Sequence, residues 1–216
     1  MSTVFNLPVY GAGILLAAAA ALTLYGQPDL DQKWGFMAAE YGARLENREV
    51  YVDPGELLQR MNDDYIELII FDLREERDWN IFHLVDSERV SINDLPAQRD
   101  RLRNLSELSV VVLVSNDEIL STRAWKHMMA LAKPNVYILE GGINHWLNVY
   151  GVKHEEQDDH AAASLDRPDG SLRHPFKYAL GARHAAAQPD EHHVPQREYT
   201  EKVRLLKKIA RAGGCG

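Results

Sequence analysis

The sequence predicts an α/β domain over residues 49–151, with a parallel sheet that has helices on both faces. Strand-like and helix-like stretches alternate along these residues, which is the pattern of parallel strands joined by crossover helices. Residues 68–73 (LIIFDL) and 110–114 (VVVLV) are apolar runs, as expected for strands covered on both faces. An N-terminal transmembrane helix and an extended C-terminal arm complete the predicted architecture.

Local signals place the elements of this domain. Asp53 followed by Pro54 is a good N-cap with proline at the first helical position. Asn93 or Asp94 caps a later helix, and the glycine pair 141–142 turns the chain into the last one. The predicted strands are residues 50–52, 68–73, 88–92, 110–114 and 136–139. The predicted helical segments are residues 54–61, 74–79, 95–105, 121–131 and 143–150.

Charge is distributed unevenly along the chain. The 216 residues carry a net charge of −8. Residues 1–151 hold 13 basic and 22 acidic side chains, whereas residues 152–216 hold 11 and 10. An acidic body argues against broad nucleic-acid binding, so we expect no nucleic-acid partner. The single cysteine, Cys215, excludes an internal disulfide and any multi-cysteine metal site.

Residues 4–25 contain no charged side chain, and three interpretations compete for them. About 20 apolar residues span a bilayer, and membrane helices tolerate the proline and glycines found here. A cleaved signal peptide should begin with basic residues, and none is present before this run. A buried soluble helix should be amphipathic, whereas this stretch is apolar all round. The sequence therefore favours a retained transmembrane helix at residues 1–26.

A connector with a short helix is predicted at residues 27–48. Trp34 and Phe36 are expected at the membrane interface, where aromatic side chains are enriched. Basic residues lie only on the C-terminal side of the apolar run, at Lys33 and beyond. The positive-inside rule then favours a single-pass membrane protein whose C-terminal body is cytoplasmic.

Two stretches give residues 49–151 a family resemblance. FDLREERDWNIFHL resembles the first signature of rhodanese-like domains, an aspartate–aliphatic–arginine–glutamate run followed by an aromatic residue and then glycine-histidine-isoleucine. VYILEGGINHW resembles the closing signature of the same family. The matching residues are Asp72, Arg74, Glu75, Trp79, His83, Leu84, Glu140, Gly141, Gly142 and Trp146, and Phe82 stands where the glycine is usual.

The resemblance implies a small parallel α/β unit in which a cysteine ends the central strand. Active members of the family transfer sulfane sulfur from thiosulfate or a persulfide to a thiol. The cysteine corresponds to Ser115 here, and the loop after it, usually rich in glycine and arginine, contains Asn116, Asp117 and Glu118. A hydroxyl without an activating base is a poor nucleophile and cannot carry a persulfide. The acids also oppose an anionic substrate, so we expect a degenerate, non-catalytic site without cofactor or metal.

The resemblance also implies that Asp72, Arg74 and His83 border the former pocket. Without a competent nucleophile, Asp72 and Arg74 are interpreted as an internal ion pair or a loop anchor. His83 is interpreted as a structural residue whose hydrogen bond fixes the loop after Trp79.

The C-terminal residues divide into two predicted segments. Residues 152–196 hold six of the nine histidines at spacings that match no standard metal motif, and we predict an extended arm that becomes ordered on a partner through groups such as Phe176 and Tyr178. Residues 197–216 are predicted to form a basic amphipathic helix, which begins at residue 197, followed by a tail. The predicted partner-binding residues are Tyr199, Val203, Leu206, Ile209, Lys207 and Lys208.

Together these features predict a membrane-anchored adaptor that is not an enzyme. It would be an accessory subunit that stabilises a multisubunit membrane complex, with a respiratory or other energy-transducing complex as one candidate. The expected partners are other membrane-protein subunits and membrane lipid. Two alternatives stay open: a sulfurtransferase or persulfide carrier using Cys215 or a partner's thiol, and a small-anion sensor. The domain is expected to fold without residues 152–216.

Overall fold

The computed structural model describes residues 15, 29–131, 135–151, 170–194 and 197–205. A five-stranded sheet, in which every pairing is parallel, forms its centre. The strands are β1 (Tyr51–Val52), β2 (Glu67–Asp72), β3 (Ser87–Arg89), β4 (Ser109–Val114) and β5 (Val136–Leu139). They lie in the order β1-β5-β4-β2-β3, which puts β4 in the middle of the sheet.

Helices cover both faces of this sheet, so the predicted α/β fold class of the domain is confirmed. A 3₁₀ helix at Ile92–Gln98 leads directly into the α-helix that begins at Arg99. The α-helices are α1 (Leu30–Glu46), α2 (Pro54–Met61), α3 (Glu76–Ile81), α4 (Arg99–Arg103), α5 (Ile119–Leu131) and α6 (Gly142–Tyr150). The predicted cap of α2 is present, since the Asp53 carboxylate accepts from the Gly55 N–H at 2.7 Å.

Alternate residues of β4 divide the core into two layers. Val110, Val112 and Val114 lie in the layer with α2 and α6, whereas Val111 and Leu113 lie in the layer with α1 and α5. All six residues of β4 are buried. Burial on both faces is the physical reason for the apolar run, because neither set of side chains meets water.

The helix after β3 differs from its prediction at its start. The cap is Ser91, whose hydroxyl accepts from the Asn93 N–H at 3.3 Å, and not Asn93 or Asp94. Pro96 lies inside the 3₁₀ segment, where it has no N–H to donate. The chain becomes α-helical only from Arg99.

The N-terminal connector is more regular than expected. Its helix α1 begins at a capping box on Asp29 and continues to Glu46. Trp34, expected at a membrane interface, instead contacts Trp125 of α5 edge-to-face with the ring centroids 5.8 Å apart. Phe36 is 83% exposed. The connector therefore belongs to the packed domain, because one side of α1 is needed to cover α5.

The predicted transmembrane helix at residues 1–26 lies outside the described residues, apart from the helical Leu15. Within the part of the chain that the structure describes, no helix is both long enough and apolar enough to cross a bilayer. Several predicted site residues also lie outside it: Leu206, Lys207, Lys208, Ile209 and Cys215.

Residues 170–194, predicted to be an arm held by a partner, pack on their own domain. Leu172, Ala186 and Ala187 are at most 5% exposed and join the core layer of α2 and α6. The Trp146 indole N–H in α6 donates to the Ala186 carbonyl at 2.7 Å. The prediction is wrong for these residues. Three small or aliphatic side chains are too few for the sequence to predict that this segment packs into a core. In the folded protein they are sufficient to fill gaps in the surface that α6 presents.

Residues 197–205 have no regular secondary structure, so the predicted amphipathic helix does not begin where it was expected. The N–H groups of Lys202 and Val203 donate to the Glu56 carboxylate of α2, at 2.9 and 2.8 Å, and not to carbonyls of a helical turn. Val203 is 8% exposed and joins the same core layer. Tertiary contacts thus override a helical periodicity in residues 197–205. The expectation that the domain folds without residues 152–216 stays a prediction.

Candidate functional site

The loop after β4 is the candidate site that the sequence indicates. Ser115 follows β4 directly, and α5 begins at Ile119. Since β4 is the central parallel strand, this loop lies at the carboxyl edge of the sheet, where ligands bind in open α/β folds. The Ser115 side chain, however, is not presented to solvent, because the residue is only 2% exposed.

Hydrogen bonds within the loop occupy the Ser115 hydroxyl. Its Oγ donates to the Asp117 carbonyl at 2.5 Å and accepts from the Ser121 N–H at 3.2 Å. The Ser121 hydroxyl lies 2.9 Å away. Among the contacts of the described residues, Ser115 Oγ has no histidine or carboxylate partner that would serve as a general base. The hydroxyl therefore has the hydrogen bonds of a loop-closing group and not those of an activated nucleophile.

The two loop acids also have structural partners. Asp117 Oδ1 accepts from the Ile119 N–H at 2.9 Å, which caps the first turn of α5. Glu118 accepts two hydrogen bonds from the Arg48 guanidinium, at 2.7 and 3.1 Å, and one from the Gly141 N–H at 2.7 Å. Glu118 thus ties the loop both to the end of α1 and to the turn before α6.

The ionisation of these groups follows from the pairing. Burial raises the pKa of the Glu118 carboxyl, but the hydrogen bonds from Arg48 and the Gly141 N–H, with the Arg48 charge, outweigh burial and leave that pKa below its ordinary value. The hydrogen bond with Glu118 raises the pKa of Arg48 in turn. The negative charge at residue 118 is therefore permanent near neutral pH and is largely balanced by Arg48.

Sterics require a glycine at Gly142, the first residue of α6 and the second glycine of the pair. Gly142 has φ +63°, and a Cβ there would lie 2.5 Å from the Ser115 carbonyl oxygen. The first N–H groups of α6 donate to the loop, Ile143 to the Ser115 carbonyl at 2.8 Å and Asn144 to the Asn116 carbonyl at 3.1 Å. The start of α6 is therefore used to hold the loop, so these N–H groups have main-chain partners already.

The predicted ion pair between Asp72 and Arg74 is confirmed. Both side chains are 1% exposed, and Arg74 Nη2 lies 2.5 Å from Asp72 Oδ2. Arg74 also donates to the Phe82 carbonyl at 2.7 Å and, more weakly, to Asn116 Oδ1 at 3.4 Å. The guanidinium thus anchors the loops after β2 and β4, and its charge is neutralised by Asp72.

His83 has the structural hydrogen bond that was predicted. Its Nδ1 lies 2.9 Å from the Trp79 carbonyl oxygen, and its ring stacks on the Trp79 ring with the centroids 3.6 Å apart. The ring carbon of His83 also limits the space beside Gly181, where a Cβ would lie 2.8 Å from Cε1. His83 therefore connects the end of α3 to the C-terminal residues.

A half-open cleft of about 900 Å³ lies over the loop. One wall comes from the loops after β2 and β4, and the opposite wall is residues 170–176 of the chain itself. Arg74 and Ser115 line this cleft, while Asp72 and His83, predicted at its border, do not. Phe176, predicted to meet a partner, lines it and stacks on Phe82 with centroids 5.5 Å apart.

Two asparagine side chains hold this second wall by its main chain. Asn144 Nδ2 donates to the Ser171 carbonyl at 2.9 Å, and Asn144 Oδ1 accepts from the Arg173 N–H at 2.8 Å. Asn116 Nδ2 donates to the Gly170 carbonyl at 2.9 Å. Sequence reasoning did not find Asn144, because an asparagine in a helix carries no local signal for a contact with residues so far along the chain.

The described partner-binding candidates have intramolecular contacts. The Tyr199 hydroxyl donates to Gln59 Oε1 at 2.7 Å, and Val203 lies in the core. Glu56, which accepts from the N–H groups of Lys202 and Val203, is fully buried and was also missed, since an acid in a first helical turn is ordinarily a favourable surface residue. In the described residues, no group of three or more His, Cys, Asp or Glu side chains is arranged to hold a metal ion.

Comparison with known proteins agrees with this architecture. The family model of the rhodanese-like domain matches residues 53–149, so this part of the chain is a rhodanese-like domain. No curated protein is a significant match to the chain.

Several solved structures are similar to about half of the chain. A protein from Bacillus halodurans has 20% identity and a TM-score of 0.41, with 50% of this chain and 78% of that chain covered. A full-length protein from Lactobacillus plantarum has 16% identity and a TM-score of 0.40, with 52% and 93% covered. A second structure from that organism has 16% identity and a TM-score of 0.39, with 52% and 94% covered.

Proposed function

We propose that this chain is a non-catalytic, membrane-anchored adaptor built on a rhodanese-like domain, and an accessory subunit of a multisubunit membrane complex. The observation that carries the proposal is the state of Ser115. The residue at the end of the central strand is a buried serine whose hydroxyl closes its own loop.

Sulfur transfer requires a group that attacks sulfane sulfur and then holds it. A thiolate does both, whereas an unactivated hydroxyl does neither near neutral pH. Catalysis would also need N–H donors directed at an anion. Here the Ile119 and Ser121 N–H groups donate to Asp117 and Ser115, and the first N–H groups of α6 donate to loop carbonyls. These contacts favour a binding role for the domain over a chemical one.

The direct test is an assay of thiosulfate sulfurtransferase activity. We expect the purified full chain to release no thiocyanate from thiosulfate and cyanide above a heat-inactivated control. Turnover above that control would contradict the proposal, and repeating the assay with Cys215→Ser would then show whether Cys215 supplies the thiol.

The matched variant is Ser115→Cys. It supplies a thiol of similar size at the same position, but it leaves Asp117 and Glu118 in the loop. We expect little activity, because one thiol does not create donors for the anion. Strong rescue would show that the loop is competent and that the serine alone prevents catalysis.

The adaptor role itself is tested by native purification. The full chain, extracted in mild detergent, should co-purify with a defined set of other membrane-protein subunits in constant ratio. Reporter fusions at both ends would test the expected cytoplasmic position of the body. Purification as a lone chain from cells at native abundance would remove the support for an accessory subunit.

A further inference from the structure

The cleft over the loop after β4 is lined by negatively charged side chains, whereas an anion-binding site needs positive charges or N–H donors. Three carboxylates line it, from Glu75, Asp78 and Asp117. The described lining residues also include His174 and two guanidiniums, of which Arg74 is neutralised by Asp72. Among the described lining residues, three carboxylates face two guanidiniums, one of which is neutralised by Asp72, so the local field favours a positively charged occupant.

Apolar side chains also line the cleft. Leu73, Ile81 and Leu120 lie in it, and Ile119 at its rim is 66% exposed. An exposed isoleucine beside carboxylates fits an occupant that carries aliphatic and basic side chains in alternation, as on the two sides of an extended peptide.

One wall of the cleft is itself a stretch of main chain that side chains of the domain hold in place. Asn144 pairs with both the carbonyl of Ser171 and the N–H of Arg173, Asn116 pairs with the carbonyl of Gly170, and the Leu172 side chain between them enters the core at 5% exposure. Main-chain pairing with one buried anchor is a general mode of peptide recognition. The wall at residues 170–173 is therefore fixed by contacts with the domain, and the open part of the cleft lies beside it.

We propose that the open part of this cleft is the docking site for an extended segment of a partner protein that alternates aliphatic side chains with Arg or Lys. The inference rests on the proposed adaptor role and adds the chemistry of the partner. The basic side chains meet Glu75, Asp78 and Asp117, and the aliphatic ones cover Ile119 and Leu120.

The test uses the full chain in non-ionic detergent and a labelled peptide, GLRLRLRG, acetylated and amidated at its ends. Fluorescence anisotropy should show saturable binding, and the acidic counterpart GLELELEG should not bind. Removing the three cleft charges should weaken binding by about tenfold, because each charge forms one partly exposed ion pair with the peptide and each such pair contributes little. The cleft variant is Glu75→Gln, Asp78→Asn and Asp117→Asn. The control variant, with the same change in net charge at exposed sites elsewhere, is Glu40→Gln, Asp100→Asn and Glu107→Gln.

These substitutions keep the local hydrogen bonds. An asparagine at 117 still accepts from the Ile119 N–H, and one at 78 still accepts from Asn116. A second measurement needs no variant. Carbodiimide coupling of GLKLKLKG to the wild-type chain should form amide bonds at the cleft carboxylates in preference to residues 40, 100 and 107.

Equal weakening by the two triple variants, coupling spread evenly over the surface, or no saturable binding would each overturn the inference. None of these results bears on whether the domain is catalytic. Conversely, thiocyanate release would refute the proposed function without changing the peptide-binding measurement, so the two failures are distinguishable.

Discussion

Replacing Glu56 by alanine tests the inference that residues 197–205 are part of the folded domain. The Glu56 carboxylate is fully buried and accepts the N–H groups of Lys202 and Val203, with Arg60 Nη2 at 3.5 Å. Glu56→Ala removes the acceptor and leaves those N–H groups without their partner.

The expected cost follows from these contacts. A hydrogen bond to a charged acceptor contributes about 1.5–3 kcal/mol, so two such bonds suggest a loss of about 3–6 kcal/mol in the free energy of unfolding. Glu56→Gln keeps an amide oxygen, and because Oε1 accepts from both Lys202 and Val203, most of the geometry survives. The glutamine variant should lose only about 1–2 kcal/mol, the difference between charged and neutral acceptors.

The measurement is urea unfolding of the full chain in mild detergent, followed by circular dichroism and tryptophan fluorescence. At roughly 2–4 °C per kcal/mol for a chain of this size, Glu56→Ala should also lower the melting temperature by about 10 °C. The control is Glu201→Ala, whose side chain is 63% exposed and lies 3.7 Å from Arg60. That variant should remain within about 0.5 kcal/mol of the wild type.

Two outcomes would refute the reasoning. If Glu56→Ala were as stable as Glu201→Ala, residues 197–205 would not be held by this carboxylate. If Glu56→Gln were as destabilised as Glu56→Ala, the charge and not the acceptor geometry would be the source of the stabilisation.

Three further predictions concern the loop and the N-terminus. Gly142→Ala should destabilise the domain by about 2–4 kcal/mol in thermal melts, because a Cβ at φ +63° meets the Ser115 carbonyl at 2.5 Å. Arg48→Ala should raise the pKa of Glu118, measured by NMR titration. The pKa of Glu118 in the folded protein lies below the ordinary 4.5, so the Arg48–Glu118 pair stabilises the fold above pH 4.5. This stabilisation disappears as the pH falls through the folded pKa. The variant lacks it, so the midpoint of its acid unfolding should lie at a higher pH than that of the wild type. Removing residues 1–26 should make the protein extractable by carbonate.

Each of these has a contradicting result. An unchanged melting temperature for Gly142→Ala would mean that the turn before α6 relaxes at little cost. A Glu118 pKa that stays low in Arg48→Ala would assign the shift to the Gly141 N–H and to His145. A truncated chain as firmly integral as the full one would place the membrane attachment elsewhere.

Much of the domain could be predicted because its signals are short-range. The apolar run of β4, the Asp53 and Pro54 cap of α2, and the strand at Val136–Leu139 each depend on neighbouring residues, and each lies in the structure within a residue or two of its predicted place. The same holds for the serine at the end of β4, since the position of a residue after a buried strand follows from the strand itself.

Only the tertiary structure decided the role of the C-terminal residues. Glu56 meets Lys202 and Val203 across about 146 positions of chain, and Arg48 meets Glu118 across 70. Such contacts depend on distances in the folded molecule, and no periodicity of either segment encodes them. The sequence by itself determined the strands of the sheet and the presence of a serine directly after β4. The packing of residues 170–194 and 197–205 against α2 and α6 was decided by the gaps which those helices leave, because a few buried side chains and main-chain hydrogen bonds outweigh a local helical preference.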